Sequence, residues 1–253
     1  LGTTRTLQRL VSTYSVDAIA LGNGTASRDT ENVLRSIAFP RPVDIYIVNE
    51  NGASVYSASD IAREEFPDHD VTVRGAVSIG RRLIDPLAEL VKIDPKSIGV
   101  GQYQHDVNQS SLQASLDFTV TSCVNTVGVN VNTASRRLLS YVAGIGPQLA
   151  ANIVAYRAEH GDFRRKADVL QVPRMGAKAF AQAAGFMRIP DGDSKLDNTG
   201  VHPESYHIVY RMARDLGVTP DEMIGSESLL RSLDLSRYED ETFGSATVSD
   251  IAA

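Results

Sequence analysis

The chain has 253 residues, of which 42% are hydrophobic and 22% charged, with a formal net charge of −6. This is the composition of an ordinary globular protein with material for one to three domains. No stretch of about 18 apolar residues occurs, which excludes a membrane span, and the N-terminus lacks the pattern of a signal peptide. The single cysteine, Cys123, excludes an internal disulfide framework and a multi-cysteine zinc site. We interpret it as a small buried hydrophobic residue and expect a cytoplasmic protein.

The first part of the chain alternates helical and strand patterns. The spacing of apolar residues predicts helices at 4–14, 28–37 and 57–65, and short apolar runs predict buried strands at 16–21 and 43–48. Strands that alternate with helices favour a parallel or mixed sheet covered by helices.

Strand patterns disappear after Gly75. Residues 76–93 form an amphipathic helix that Pro86 should kink or split, and 99–104 should be a loop or an edge strand. Residues 111–131 are apolar and carry little charge, which predicts a helix although valine and threonine argue for a strand.

Residues 138–157 carry the most informative pattern in the chain. An apolar helix runs into Gly144, Ile145 and Gly146, and a second apolar helix follows at once. This order is typical of a helix-hairpin-helix element that binds nucleic acid. Glycine allows a positive φ and a close backbone approach, and the first amides of the second helix can donate to a phosphate. A tight turn between two packed helices is the alternative interpretation.

A degenerate copy of this pattern follows at 168–185. Gly176 aligns with Gly146, and Arg174 stands where the first copy has Gly144. The first copy has Gln148 where a basic residue would add a phosphate contact, and the second copy has Lys178 there.

The charge of this region differs in sign from that of the whole chain. Residues 133–190 contain nine basic and three acidic side chains, a net charge of +6, which leaves −12 for the remainder. A basic region in an acidic chain indicates a surface for polyanions. We expect Arg164, Arg165 and Lys166 to extend this surface beyond the hairpins.

Helical patterns continue to the end of the chain. A polar linker at 190–200 is followed by helices at 203–216 and 226–233, and by a capping sequence at 219–222. Both ends of the chain look cut from a longer protein. The patterns predict an α/β part followed by an all-α part, with domains at 1–110, 111–190 and 191–253.

One carboxylate could belong to a catalytic site. Glu50 ends a predicted strand, and a carboxylate there could hold Mg²⁺ for phosphodiester cleavage if two or three others converged on it. The acidic residues nearest to it in sequence are Asp44, Asp60, Glu64 and Glu65. The five histidines do not form a metal set, and no nucleotide-binding loop or nucleophile arrangement is visible, so we expect no cofactor.

Four longer segments resemble the bacterial Tex transcription accessory proteins. They are residues 19–28, 48–57, 85–106 and 200–205, and the resemblance extends over essentially the whole chain. It implies most of a YqgF-type RNase H-like domain, then tandem helix-hairpin-helix elements, then a further helical domain. The family's OB-fold domain would follow the last residue.

The resemblance also implies that the nuclease-like domain is degraded. The family's opening strand with an Asp-Pro-Gly motif has no match here, and Ser78 or its neighbours fall where nuclease relatives carry a last aspartate. Glu50 matches an acidic position of those relatives. The resemblance further implies that this domain serves as a scaffold or interaction platform, and that the protein associates with the transcription machinery.

We therefore expect a non-enzymatic fragment of a Tex-like factor that binds DNA or RNA through phosphates and does not interact with membranes. A metal-dependent nuclease that uses Glu50 is one alternative, and three carboxylates around that residue would favour it. A protein-interaction scaffold is the other. The residues expected to contact nucleic acid are Gly144, Ile145, Gly146, Gln148, Arg164, Arg165, Lys166, Arg174, Gly176 and Lys178.

Overall fold

The computed structural model describes residues 2–239 and 242–252, which form two compact units that divide after Gln113. The first unit mixes short helices with two strands. Its elements are α1 (Gly2–Tyr14), β1 (Ala18–Gly22), α2 (Ser27–Ser36), β2 (Asp44–Val48), α3 (Ala53–Ala58), α4 (Asp60–Glu65), α5 (Val71–Ile84), α6 (Pro86–Leu90) and α7 (Pro95–Ile98).

The two strands of this unit pair in parallel, as the alternation of helices and strands predicts. Ala18 pairs with Asp44 and Gly22 with Val48, and α2 and α5 contact both strands. The prediction that both strands are buried is wrong, because only Val48 is buried and the side chain of Tyr46 is 45% exposed. A sheet of two strands leaves much of its surface uncovered.

Helix breaks in the first unit follow local chemistry. Pro86 splits the predicted helix of residues 76–93, and Asp85 caps the second half by accepting from the amide of Ala88. The helix predicted at 57–65 is instead two helices divided at Ser59. The hydroxyl of that serine accepts from the amide of Ala62 and so begins α4.

The second unit is helical apart from one pair of short strands. The helix α8 (Gln109–Val127) crosses the division between the units. The remaining elements are β3 (Val129–Asn130), α9 (Arg136–Leu139), α10 (Pro147–His160), α11 (Ala177–Ala183), β4 (Met187–Arg188), α12 (Tyr206–Leu216), α13 (Pro220–Met223), α14 (Glu227–Leu230) and α15 (Ser245–Ala252). Short 3₁₀ helices lie at Lys166–Gln171, Ala184–Phe186, Lys195–Asn198, Pro203–Ser205 and Leu235–Tyr238. The predicted fold class, α/β followed by all-α, is confirmed.

The helix α8 confirms the helical prediction for this apolar segment but not the predicted environment of its cysteine. Val124 is its buried residue, whereas Cys123 is exposed and Phe118 is 75% exposed. Apolar residues are spread around this helix, so one packed face cannot cover them all.

The strands β3 and β4 join the two ends of the hairpin region. Val129 pairs with Met187 and Asn130 with Arg188 in parallel, so chain segments almost 60 residues apart become neighbours. Strands of two residues carry no periodic pattern, and the sequence did not predict them.

The last part of the second unit has its own apolar core, which includes Ile208, Met212 and Val248. The segment predicted as a polar linker belongs to this core, because it forms a 3₁₀ helix in which Leu196 is 1% exposed. The predicted cap at 219–222 is confirmed as a capping box at the start of α13.

Candidate nucleic-acid interface

The first hairpin joins the short helix α9 to the long helix α10. The side chains of Leu138, Leu139 and Val142 are buried and anchor its first arm. Gly144 has a φ of +81°, and Gly146 caps α10 with a φ of −82°. The turn therefore reverses the chain at Gly144 and begins a new helix immediately after Gly146.

The two glycines of this turn have different requirements. A Cβ at Gly144 would lie 2.8 Å from the Cβ of Gln182 and 2.9 Å from the carbonyl oxygen of Ala179. This position therefore requires glycine, because its φ is positive and because the backbone approaches α11 closely. Gly146 has ordinary angles and open space around it, so it does not need the backbone freedom of glycine.

The second hairpin repeats the backbone geometry of the first. Arg174 has a φ of +69°, and Gly176 caps α11 with φ and ψ of −83° and 161°. At Gly146 the corresponding angles are −82° and 172°. The alignment of the two copies in the sequence therefore corresponds to equivalent positions in space, although the second copy has arginine in place of glycine.

Backbone donors are available at the start of α10. In the described part of the chain, no hydrogen bond has the amides of Gly146, Gln148 or Leu149 as its donor. Gly146 and Gln148 are exposed residues at the positive end of a 14-residue helix, and Leu149 is half-buried. A phosphate oxygen could accept from them without displacing a protein group.

Two of the backbone contacts expected from the sequence are occupied internally. The side chain of Ile145 is 2% exposed, and its amide donates to the carbonyl oxygen of Val142. The amide of Gly176 donates to the carbonyl oxygen of Arg174. Ile145 is therefore an anchor of the hairpin in the core, and Gly176 shapes its turn.

Lys166 does not lie on the expected basic surface, because it is fully buried. Its Nζ donates to the carbonyl oxygens of Thr199 and Val201, at 2.9 and 3.1 Å. Burial and the nearby charge of Arg188 lower the pKa of Lys166 to about 8, against the opposing effect of Asp197. The prediction that Lys166 extends the surface is wrong, because its ammonium group joins the hairpin region to the following helical core.

Arg164 and Arg165 are exposed as predicted, but both are paired. They contact the two carboxylate oxygens of Asp193 at 3.1 and 3.0 Å, and hydrogen bonds from Arg165 and Arg164 lower the pKa of that carboxyl group. Asp193 lies just outside the segment whose charge was counted. Its negative charge reduces the positive potential that the sequence predicts here.

Further basic residues of this region serve the fold. Arg157 donates to the carbonyl oxygens of Val131 and Ala134, at 2.6 and 2.7 Å, and Arg188 donates to those of Gly185 and Met187. Among the described residues, three basic side chains of the region are exposed without a hydrogen-bond or ion-pair partner. They are Arg136, Arg174 and Lys178.

A row of side-chain contacts that the sequence did not reveal connects the two hairpins. The amide group of Gln148 donates to Asn152 at 3.1 Å, and Asn152 donates to the carbonyl oxygen of Pro173 in the second turn at 2.7 Å. These contacts fix α10 against the second turn. Residues four apart on a helix are neighbours, so the Gln148 and Asn152 spacing was the available signal.

Glu50 lies at the end of β2, as predicted. Its amide donates to Asn23, and its carboxylate covers the loop between β1 and α2, where a Cβ at Gly22 or Gly24 would overlap it. In the ranges 2–239 and 242–252, no group of three or more histidine, cysteine, aspartate or glutamate side chains could hold a metal ion.

A buried cation lies close to the loop that carries Glu50. Arg82 donates through Nη1 to the carbonyl oxygens of Asn49 and Asn51, the two residues that flank Glu50, at 2.9 and 2.8 Å. Burial lowers the pKa of Arg82, while the charges of Glu89 and Glu50 act in the opposite direction. The positive charge of Arg82 therefore lies at the end of β2, beside the loop that carries Glu50.

Two of the other acidic candidates, Glu65 and Asp60, are engaged elsewhere. Glu65 accepts from Tyr56 and Arg81 and forms an ion pair with Lys92 at 2.9 Å. Burial alone would raise the pKa of Glu65, but hydrogen bonds from Tyr56 and Lys92 outweigh it, and the pKa lies below its ordinary value. Asp60 pairs with Arg63 on its own helix.

Among the described residues, no helix is both long and apolar enough to span a bilayer.

Three family models match consecutive parts of the chain. A model for the Tex protein YqgF-like domain matches residues 2–84, a helix-hairpin-helix motif matches 124–188, and a second helix-hairpin-helix domain matches 194–253. The prediction of helix-hairpin-helix elements at 138–157 and 168–185 is confirmed. The sequence patterns had identified the last segment only as helical.

The chain is also similar to complete proteins of known sequence. It is 53% identical to the transcriptional accessory protein Tex of Neisseria gonorrhoeae, over 97% of this chain and 33% of that protein. It is 54% identical to protein tex of Bordetella pertussis, over 100% of this chain and 32% of that protein. It is 45% identical to human S1 RNA-binding domain-containing protein 1, over 84% of this chain and 27% of that protein. The chain spans about one third of the length of the bacterial relatives. It corresponds to the part of these Tex proteins that holds a YqgF-like domain followed by helix-hairpin-helix domains.

Proposed function

We propose that this chain binds the phosphate backbone of nucleic acid without reading base sequence. The observation that carries the proposal is the repeated hairpin geometry, in which exposed amides at Gly146 and exposed cations at Arg174 and Lys178 follow equivalent turns. Contacts of this kind position a protein on a strand and carry no sequence information.

The two hairpins contribute different interactions. The first offers the amides of Gly146 and Gln148 at the N-terminus of α10, where the helix dipole favours an anion. The second offers Arg174 and Lys178, which lie on either side of Gly176. The first site works by geometry and the second by charge.

The small number of unpaired cations predicts weak binding. The −12 charge outside residues 133–190 repels a polyanion over long distances, although screening beyond about 10 Å limits this at 0.1 M salt. Relatives named for transcription and for an S1 RNA-binding domain support a transcription-accessory role in which DNA or RNA is the ligand. We infer that additional domains of the full-length relatives add affinity.

We propose further that the chain does not cleave nucleic acid. The donor set does not fit a two-metal site, because Glu50 belongs to no group of three or more potential metal ligands among the described residues and Arg82 lies beside its loop. Ser78 adds a buried hydroxyl group where nuclease relatives are expected to carry an acid.

The charge mechanism is tested by the salt dependence of binding. Replacing both Arg174 and Lys178 with alanine should weaken binding to all sequences about equally and reduce the log–log salt slope by roughly one to two units. The matched control replaces Arg164 and Arg165, which removes the same charge from a pair already bound to Asp193. It should change the slope less.

An unchanged slope in the first variant would show that the second hairpin does not touch the backbone. The hairpins would then serve as packing units in a protein-interaction scaffold. Equal losses in both variants would indicate a general effect of net charge without specific contacts.

A further inference from the structure

Three aromatic rings lie in a continuous stack at the C-terminal end of α10. The rings of His160 and Tyr156 are 4.1 Å apart with an angle of 10° between their planes. The rings of Tyr156 and Phe163 are 5.5 Å apart with an angle of 9°. Phe163 is buried and His160 is exposed, so the stack runs from the core to the surface.

Hydrogen bonds hold the rings of His160 and Tyr156 and the backbone of Phe163 in place. His160 donates through Nδ1 to the carbonyl oxygen of Tyr156 at 3.1 Å, because a carbonyl group can only accept. The hydroxyl group of Tyr156 donates to Gln171 at 2.9 Å, and the amide of Phe163 donates to Asn132. A ring fixed in this way loses little conformational entropy when a ligand stacks on it.

The outer face of His160 is available for a further planar group. Among the ring contacts of the described residues, His160 stacks on Tyr156 alone. Arg164 and Arg165 follow Phe163 directly in the chain, but their charges are paired with Asp193, so the ring itself is the feature that a ligand would contact here. An exposed planar ring is a surface on which proteins stack the bases of single strands.

The stack is connected to the hairpins through α10. Its 14 residues span about 20 Å from Pro147 to His160 at about 1.5 Å per residue. The row on α10 consists of side chains four residues apart: Gln148, Asn152, Tyr156 and His160. It contacts the second hairpin at Pro173 and Gln171. A strand bound at the hairpin turns could therefore extend along this row to the stack.

We propose that His160 is a stacking site for an unpaired base of single-stranded nucleic acid. This inference rests on the proposed binding of phosphates by the hairpins and narrows its ligand to a strand with accessible bases. A duplex keeps its bases stacked on one another and offers none to His160, except at its ends. The site reads no sequence, because every base has a planar face.

The test compares three probes: a single strand of about 12 nucleotides, an abasic strand of the same length, and the corresponding duplex with closed hairpin ends. His160→Ala should weaken binding of the ordinary single strand about fivefold or more and leave the abasic strand and the duplex unchanged. His160→Phe should restore binding, because it keeps a ring. His105→Ala, which removes an exposed histidine of the first unit, is the control.

The outcomes separate this inference from the proposed function. If all three probes bind and His160→Ala affects none, or affects all equally, the stacking site is overturned while phosphate binding stands. If the unaltered chain binds no probe, both fail. A loss that His160→Phe does not restore would also overturn stacking, and unchanged thermal denaturation of the variants would show that each one folds.

Discussion

Arg174 holds in the second hairpin the left-handed backbone conformation that Gly144 holds in the first, with φ values of +69° and +81°. For a residue with a Cβ this conformation costs roughly 1–2 kcal/mol. The arginine is nevertheless exposed, and no described side chain pairs with it. A strained position that carries an unpaired charge is expected where function, rather than stability, determines the residue.

Replacing Arg174 with glycine should separate stability from binding. The free energy of unfolding of this variant should be about 0.5–1 kcal/mol higher. The strain that arginine stores in the left-handed conformation is relieved, and this gain exceeds the cost of the greater freedom of glycine in the unfolded chain. It should bind nucleic acid more weakly, because the charge is lost. Urea denaturation and a binding titration measure the two effects, and Arg174→Ala is the control that loses the charge but keeps the strain. Lower stability of the glycine variant would contradict the argument.

The two glycines of the first hairpin should respond in opposite ways. A valine at position 144 would have to adopt a positive φ and would lie too close to Gln182 and Ala179. Gly144→Val should therefore cost about 2–5 kcal/mol of stability. Gly146→Val enters open space at ordinary angles and should cost about 1 kcal/mol or less. Its side chain would block the approach of a phosphate, so affinity should fall while the fold is kept. Full binding by a folded Gly146→Val variant would exclude the amides of α10 from the interface.

Lys166 should make stability depend on pH above neutrality. Its pKa of about 8 in the folded state lies below its ordinary value of about 10.4, so the unfolded chain binds more protons between these values. The free energy of unfolding should therefore rise from about pH 8 to 9.5, by up to about 1 kcal/mol per pH unit. Above about pH 10 the raised pKa values of Tyr56 and Tyr206 oppose this rise, because the unfolded tyrosines lose their protons first.

The variant Lys166→Met tests this assignment. It keeps the length of the side chain and removes the titrating group, so the slope between pH 8 and 9.5 should disappear in chemical denaturation at several pH values. The same slope in both proteins would assign the titration to another group. Exposed Lys178, replaced in the same way, should leave the slope unchanged.

The nuclease-like unit should not cleave nucleic acid. Incubation with branched DNA or an RNA–DNA hybrid in Mg²⁺ or Mn²⁺ should give no product, since Glu50 belongs to no group of three or more potential metal ligands among the described residues. Cleavage that disappears in Glu50→Gln would establish the alternative, a metal-dependent nuclease. Cleavage that persists in that variant would indicate a contaminating activity.

The sequence alone determined the features that depend on neighbouring residues. The pair of hairpins, the division at Pro86 and the cap at Thr219 each follow from glycine, proline or capping chemistry within a few positions. The alignment of Arg174 with Gly144 also came from the sequence, because equal spacing within two copies of a motif produces equal positions in their turns.

Only the tertiary structure decided which groups remain available to a ligand. Lys166 lies in a run of three basic residues, yet it is buried by carbonyl groups more than 30 residues away, at Thr199 and Val201. Asp193 pairs with the other two basic residues of that run. Counting charges along the chain therefore overestimates the positive charge of the binding surface. Contacts between distant segments determine which cations are buried or paired, and local sequence patterns do not encode those contacts.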